Sequence, residues 1–244
     1  MHDPVHMTED MRLIRDQIRR FVTEEVMPNG EAWGAEGKVP REVLREMGKL
    51  GFLAMRHPEE HGGSNLGAMA SLVLSEDLGR STFGGFSATV LVHTDMASPH
   101  LVRYGNDEQK AKYLPKICAG EIITAVAVTE PGAGSDVAGL STRAVRKGDD
   151  YILNGAKTFI TNGVHGDLFF VAARTDPDVK GSRGISIFIV EKGTPGFSVS
   201  RKLDKHGWRC SDTAELAFED CRVPAAHLLG EENKGFYAIM DNFQ

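Results

Sequence analysis

One change of rhythm constrains this chain more than any other feature. Up to about Gly120 its apolar residues recur every three and four positions; from Glu121 they come in short runs between turn signals. Thr8 is a candidate N-cap for a first helix carrying Met11, Ile14, Ile18, Phe21 and Val22 on one stripe, with Pro28 as its expected end. Pro40 opens a second helix, with Val43, Leu44, Met47 and Leu50 on one face and Gly51 as the stop. Residues 57–67, HPEEHGGSNLG, read as a loop. A third helix follows with Met69, Leu72, Val73 and Leu78, ending at Gly79. Residues 87–104 are an apolar helical stretch, with Pro99 as the place where it would break. Asn106 with Gln109 forms a capping pair for a short helix through Tyr113. One-sided stripes of this kind pack into a bundle.

After Glu121 the strand-like runs are 122–128, 141–146, 151–153, 157–160, 168–173, 185–190, 197–201 and 213–218. Gly148-Asp149 and Asn154-Gly155 are turn signals, and Pro224 closes the series. Short strands with no long helices between them predict an antiparallel sandwich or barrel. Residues 234–243 begin a new helix, with Phe236, Ile239, Met240 and Phe243 on one face. The class is therefore α+β: an all-α domain over 1–120, an antiparallel β domain over 121–231, and the start of a further helical unit over 232–244.

The length of 244 residues is enough for a sizeable core. The net charge is −6 with the cations scattered, which argues against a nucleic-acid surface but leaves room for a small anionic ligand. No apolar run approaches a membrane span, and residues 1–8 lack an apolar signal core. The expectation is a soluble intracellular protein without stable membrane insertion. Cys118, Cys210 and Cys221 are odd in number and lack metal spacing, so they read as reduced thiols, and no metal site is expected.

The stretch 125–139, AVAVTEPGAGSDVAG, joins a strand to a loop. Pro131, Gly132 and Gly134 suit a turn in which bare backbone approaches a partner closely, so a strand end would present Thr129 and Ser135. The plain alternative is a surface loop between strands. A dinucleotide fingerprint fails on spacing, because Val137 stands where the third glycine belongs. A second polar turn follows a strand at 157–163, KTFITNG. Two strand ends with short hydroxyl and amide groups suit a flat, hydrogen-bonding heterocycle.

Taken together, TEPGAGSD, ITNG and FEDCRVP at 218–224 resemble the acyl-CoA dehydrogenase family, and the likeness runs through the whole chain. The ending LLGEENKGFYAIM is most similar to long-chain or branched-chain members. The resemblance implies a bound FAD, an acyl-CoA substrate, electron-transfer flavoprotein as electron acceptor, and a homo-oligomer (tetramer or dimer). A cytoplasmic or mitochondrial-matrix location goes with it. It implies flavin contacts at Val126, Val128, Thr129, Gly134, Ser135, Phe159, Ile160 and Thr161, with Thr161 near the hydride-accepting nitrogen. Ser135 would also touch substrate near the pantetheine. Ser182 and Arg183, in the loop KGSRG, are placed to meet a CoA phosphate; a solvated loop is the alternative.

The resemblance also implies that the family's glutamate base lies in a helical bundle after Gln244, so no catalytic residue is expected within this chain. The chain then reads as a fragment that holds FAD weakly and turns nothing over alone. Glu130 is expected to satisfy loop backbone, and His93 and Asp95, two apart on a helix, to be structural. The competing functions are an acyl-CoA oxidase or flavin monooxygenase on the same fold, and a non-catalytic binding or assembly protein.

Overall fold

Thr8 caps the first helix in this computed structural model, which describes residues 7–179 and 181–242; its hydroxyl accepts the Met11 amide at 3.2 Å. Helix α1 (Glu9–Phe21) does not end at Pro28. A π-turn over Val22–Val26 carries it into α2 (Met27–Glu36), where Pro28 lies in the first turn. A first-turn residue needs no amide donor, which is why the proline is tolerated there. Gly37, in the left-handed region at φ 72°, ends α2.

Helices α3 (Arg41–Lys49), α4 (Ala68–Gly79) and α5 (Gly84–Leu91) follow. A second π-turn, Val92–Ala97, joins α5 to α6 (Ser98–Tyr104), so Pro99 again sits in a first turn rather than at a break. Asn106 and Gln109 form the expected capping box on α7 (Asp107–Cys118). The stripes of α1 to α5 close one apolar core that includes Ile18, Val22, Met47, Leu74, Leu78 and Phe86.

The rest is one connected sheet: β1 (Thr124–Ala127), β2 (Arg143–Lys147), β3 (Asp150–Thr161), β4 (Leu168–Arg174), β5 (Ile185–Glu191), β6 (Phe197–Lys202), β7 (Thr213–Pro224) and β8 (Leu228–Leu229). Its order is β6-β7-β3-β2-β4-β5-β8, with β1 on β4. The sheet is mostly antiparallel; β1 runs parallel to β4, and β2 touches β4 through one parallel pairing, Arg143 with Arg174.

The strands β4 and β5 are buried on both faces, which explains their unbroken apolar runs. Phe169, Val171 and Ala173 join an inner cluster with Leu153, Leu216 and Phe218. Leu168, Phe170 and Ala172 pack against α6, α7 and α8 (Gly235–Asp241). Phe243, expected on the stripe of that last helix, lies outside the described residues; Phe236, Ile239 and Met240 pack against the same cluster.

Asn154-Gly155 is not a turn. Residues 151–153 and 157–160 belong to one twelve-residue strand, and the irregularity at Asn154 is a bulge whose extra residue lies on β7. The Asn154 carboxamide binds Asp220 twice, accepting its amide at 2.8 Å and donating to its carboxylate at 3.1 Å. An Asn-Gly pair that signals a hairpin locally is here used across the sheet.

Candidate functional site

The motif 157–163 is shaped by a second bulge. Between Lys157 and Ile160 the register of β3 against β7 slips by one residue, and Phe159 takes a left-handed φ of 59°. A bulky side chain is rare in that region and costs roughly 1–3 kcal/mol there. The result is that Phe159 leaves the sheet interior and stands 68% exposed. Next, Asn162, also left-handed, donates to the carbonyls of Thr89 and Thr124 at 3.1 Å each and ties the turn to α5 and β1.

Behind the 129–134 loop lies a buried ion pair. Lys157 is fully buried and donates to Glu130 at 2.8 Å and to the Val128 carbonyl at 2.9 Å. The other Glu130 contacts are the Ser141 amide and hydroxyl at 2.6 and 2.8 Å and the Thr142 amide at 2.9 Å. Burial by itself would raise this carboxyl. The Lys157 ammonium and the hydrogen bonds from Lys157, Thr142 and Ser141 outweigh burial and hold its pKa at about 2. Both carboxylate oxygens are engaged, so Glu130 is an anchor for loop backbone. The Thr158 amide adds a bond to the Thr129 carbonyl at 2.9 Å. Thus the β1 end and the β3 bulge are one clamped unit.

That unit forms one wall of a cavity of about 240 Å³. Val126, Val128, Thr129, Gly134, Phe159, Ile160 and Thr161 line it, and these are the residues expected at a flavin except Ser135. The Thr129 and Thr161 hydroxyls have no hydrogen-bond partner among the described residues, whereas their backbones are held. Gly132 and Gly134 have ordinary φ values and open space where a Cβ would stand, so the fold does not require glycine there. What Gly134 provides is uncovered backbone at the cavity wall.

Ser135 is exposed on the loop beyond the cavity, and Ser182 and Arg183 lie in the turn before β5, also off its walls. Sequence reading missed what relates them. The Arg174 guanidinium donates to the carbonyls of Ala138 and Leu140 at 2.7 and 3.3 Å and to Val179 at 3.1 Å. It thereby ties the segment after Ser135 to the loop leading to Ser182.

The opposite wall is helical and was also missed: Val92, Met96, His100, Ile239 and Asn242. The spacing of Val92, Met96 and His100, four residues each, was the available signal. Pro99 has no amide to offer the Asp95 carbonyl; Asn242 supplies one, donating to Asp95 and Met96 at 3.1 Å each. The cavity wall contains no carboxylate among the described residues.

His93 is structural, as expected. Its Nδ1 accepts the Thr124 amide at 3.0 Å, and its Nε2 lies 3.2 Å from the Ile117 carbonyl, to which it donates. Burial, with His57 close by, holds its pKa at about 3, so the ring is neutral. Asp95 instead takes hydrogen bonds from Ser71 and Thr94. The three thiols are buried and unpaired by disulfides, and no cluster of metal-ligating side chains exists among the described residues.

Two family models cover this architecture: "Acyl-CoA dehydrogenase, N-terminal domain" matches residues 8–121, and "Acyl-CoA dehydrogenase, middle domain" matches 125–221. The chain belongs to the acyl-CoA dehydrogenase family. A mitochondrial isovaleryl-CoA dehydrogenase of Pongo abelii is 46% identical over 237 residues, covering 96% of this chain and 56% of that protein. The chain thus spans little more than half of that relative. An acyl-CoA dehydrogenase crystal structure from Geobacillus kaustophilus superposes with a TM-score of 0.94 at 46% identity, covering 98% of this chain and 63% of that one. Another, from Bacillus anthracis and complexed with FAD, superposes at 0.90 with 37% identity over 99% of this chain and 41% of that one. No helix among the described residues of this family member is long and apolar enough to cross a membrane.

Proposed function

We propose that the polypeptide carrying this chain is an FAD-dependent acyl-CoA dehydrogenase, removing two hydrogens from the carbons next to a CoA thioester. The observation that carries this reading is the clamped strand-end wall. Two hydroxyls without a partner among the described residues, at Thr129 and Thr161, stand among apolar side chains beside the Gly134 backbone, which the fold leaves uncovered. An isoalloxazine ring, flat and apolar with a polar edge, fits that donor set. When bound, FAD supplies the hydride-accepting chemistry.

This chain's residues do the holding. Val126, Val128 and Ile160 give the ring apolar walls, and Phe159 is turned out of the sheet where it can cover it. Thr129 and Thr161 donate to the polar edge. The buried Lys157–Glu130 pair keeps both strand ends in register, which is the positioning part of catalysis. Ser135, Ser182 and Arg183, on segments joined by Arg174, would take the CoA portion. Electron-transfer flavoprotein is the electron acceptor this reading implies, and a homo-oligomer the assembly.

Thr161→Val tests the ring contact. In the full polypeptide it should weaken FAD binding or slow flavin reduction by about tenfold, since the lost hydroxyl leaves a buried ligand atom unpaired at about 1–3 kcal/mol. Unchanged FAD affinity together with an unchanged anaerobic reduction rate would remove Thr161 from the site.

A further inference from the structure

Arg174 stands half-buried at the end of β4, and its side chain is given to loop backbone. Its Nε donates to the Leu140 carbonyl at 3.3 Å, and Nη2 donates to Ala138 at 2.7 Å and to Gly181 at 3.4 Å. Nη1 donates to Val179 at 3.1 Å and to Gly181 at 3.5 Å. Carbonyls from two separate segments thus meet on one planar fork. A guanidinium has the donors and the rigid geometry for that; an ammonium has fewer donors at a single point. The two segments differ in reach. Residues 134–140 begin on the cavity wall, which Gly134 and Val137 line, and carry the exposed Ser135. Residues 176–184 form a loop closed at its base, where the Thr175 and Asp176 amides donate to the Gly184 carbonyl at 2.8 and 3.2 Å. Arg174 grips this loop above its base, at Val179 and Gly181, beside Ser182 and the exposed Arg183.

We infer that Arg174 is a positioning residue that makes binding of the thioester depend on the nucleotide end of its CoA carrier. By fixing the spacing of the two segments, it lets one extended ligand be held at Ser135 and at Ser182 and Arg183 together. The inference rests on the acyl-CoA reading of the site. A ligand that ends at the pantetheine meets the first segment alone, so loosening the second costs it little. A ligand that runs on to a phosphorylated nucleotide spans both. Without the fork it must order the second segment itself, and the advantage of two linked contacts falls.

The test is equilibrium binding to the full polypeptide with its FAD reduced, so that dehydrogenation cannot proceed. The two ligands are an acyl-CoA and the S-acyl-pantetheine with the same acyl group, which lacks the phosphorylated nucleotide. Wild type should favour the acyl-CoA, and that preference should fall about tenfold in Arg174→Met. The change should fall on affinity rather than on the rate of flavin reduction at saturating acyl-CoA. Arg174→Lys, which keeps the charge without the fork, should recover only part of the preference. Arg174→Gln replaces the Met variant if that fails to fold. An unchanged preference, whether both ligands bind as in wild type or both weaken together with FAD, overturns the inference and leaves the acyl-CoA reading standing. Full recovery in Arg174→Lys assigns the effect to charge and overturns it equally. Equal binding of the two ligands to wild type removes the nucleotide from these loops and overturns it as well. No binding of either ligand to wild type overturns both readings.

Discussion

Lys157→Met should destabilise the folded chain by about 3–5 kcal/mol, the usual cost of breaking a buried ion pair from one side. The substitution fills the space but leaves Glu130 charged and nearly solvent-free, with hydrogen bonds only from Ser141 and Thr142. It also frees the Val128 carbonyl, so the damage reaches the strand end beside Thr129. Chemical denaturation of wild type, Lys157→Met, Glu130→Gln and the double variant is the measurement. The double variant should cost less than the sum of the singles, because removing both charges leaves no buried ion behind. Additive losses would show that the two side chains act independently. The same pair shapes acid stability. The Glu130 pKa is depressed in the fold, so its contribution is present above its unfolded value and is lost as pH falls toward about 2. Glu130→Gln should flatten the stability curve in that acid window.

His93→Leu should cost about 3 kcal/mol, the second-largest loss. It removes the acceptor of the Thr124 amide and the donor to the Ile117 carbonyl, leaving both groups buried and unpaired at about 1–3 kcal/mol each. His93 also sits in the π-turn, where Ser98 caps its carbonyl at 2.6 Å and His57 contacts Ser98 at 2.9 Å. Its loss should loosen the helical wall of the cavity along with the base of β1. The sign of the pH effect opposes protonation. Burial depresses His93 to about 3 and His57 to about 4, so the unfolded chain takes up protons first, and wild-type stability falls as pH drops below the ordinary histidine range. The His93 variant should show a shallower fall between the ordinary histidine range and about pH 3. A curve as steep as wild type would mean that His93 is not held neutral by the fold.

The helix-to-strand change, the Asn106 capping box and most strands were legible because each is a local signal: a period, a cap or a turn residue. Misread features were those whose partners are distant in sequence. Pro28 reads as a stop until the preceding π-turn puts it in a first turn. Asn154-Gly155 reads as a hairpin until Asn154 is seen to bind Asp220, 66 residues away. At the site, the strand-end wall was legible through TEPGAGSD and ITNG, whose residues converge although 24–34 positions apart. The helical wall was not, because Val92, Met96 and His100 look like ordinary core positions and nothing local shows that the core is open there. The Arg174 tether was equally silent, since all its partners are backbone carbonyls, which any sequence supplies.

A cavity that serves an FAD-dependent acyl-CoA dehydrogenase, as we propose, must bring a bound flavin and an acyl-CoA thioester together. The direct measurement is anaerobic mixing of the FAD-loaded full polypeptide with a panel of branched and straight-chain acyl-CoA thioesters, followed by the flavin absorbance. At least one thioester should bleach the flavin, leaving the corresponding enoyl-CoA as product, and Thr161→Val should slow the bleaching or lose the bound FAD. A full polypeptide that binds no FAD, or a yellow one that no acyl-CoA bleaches, would contradict that proposal.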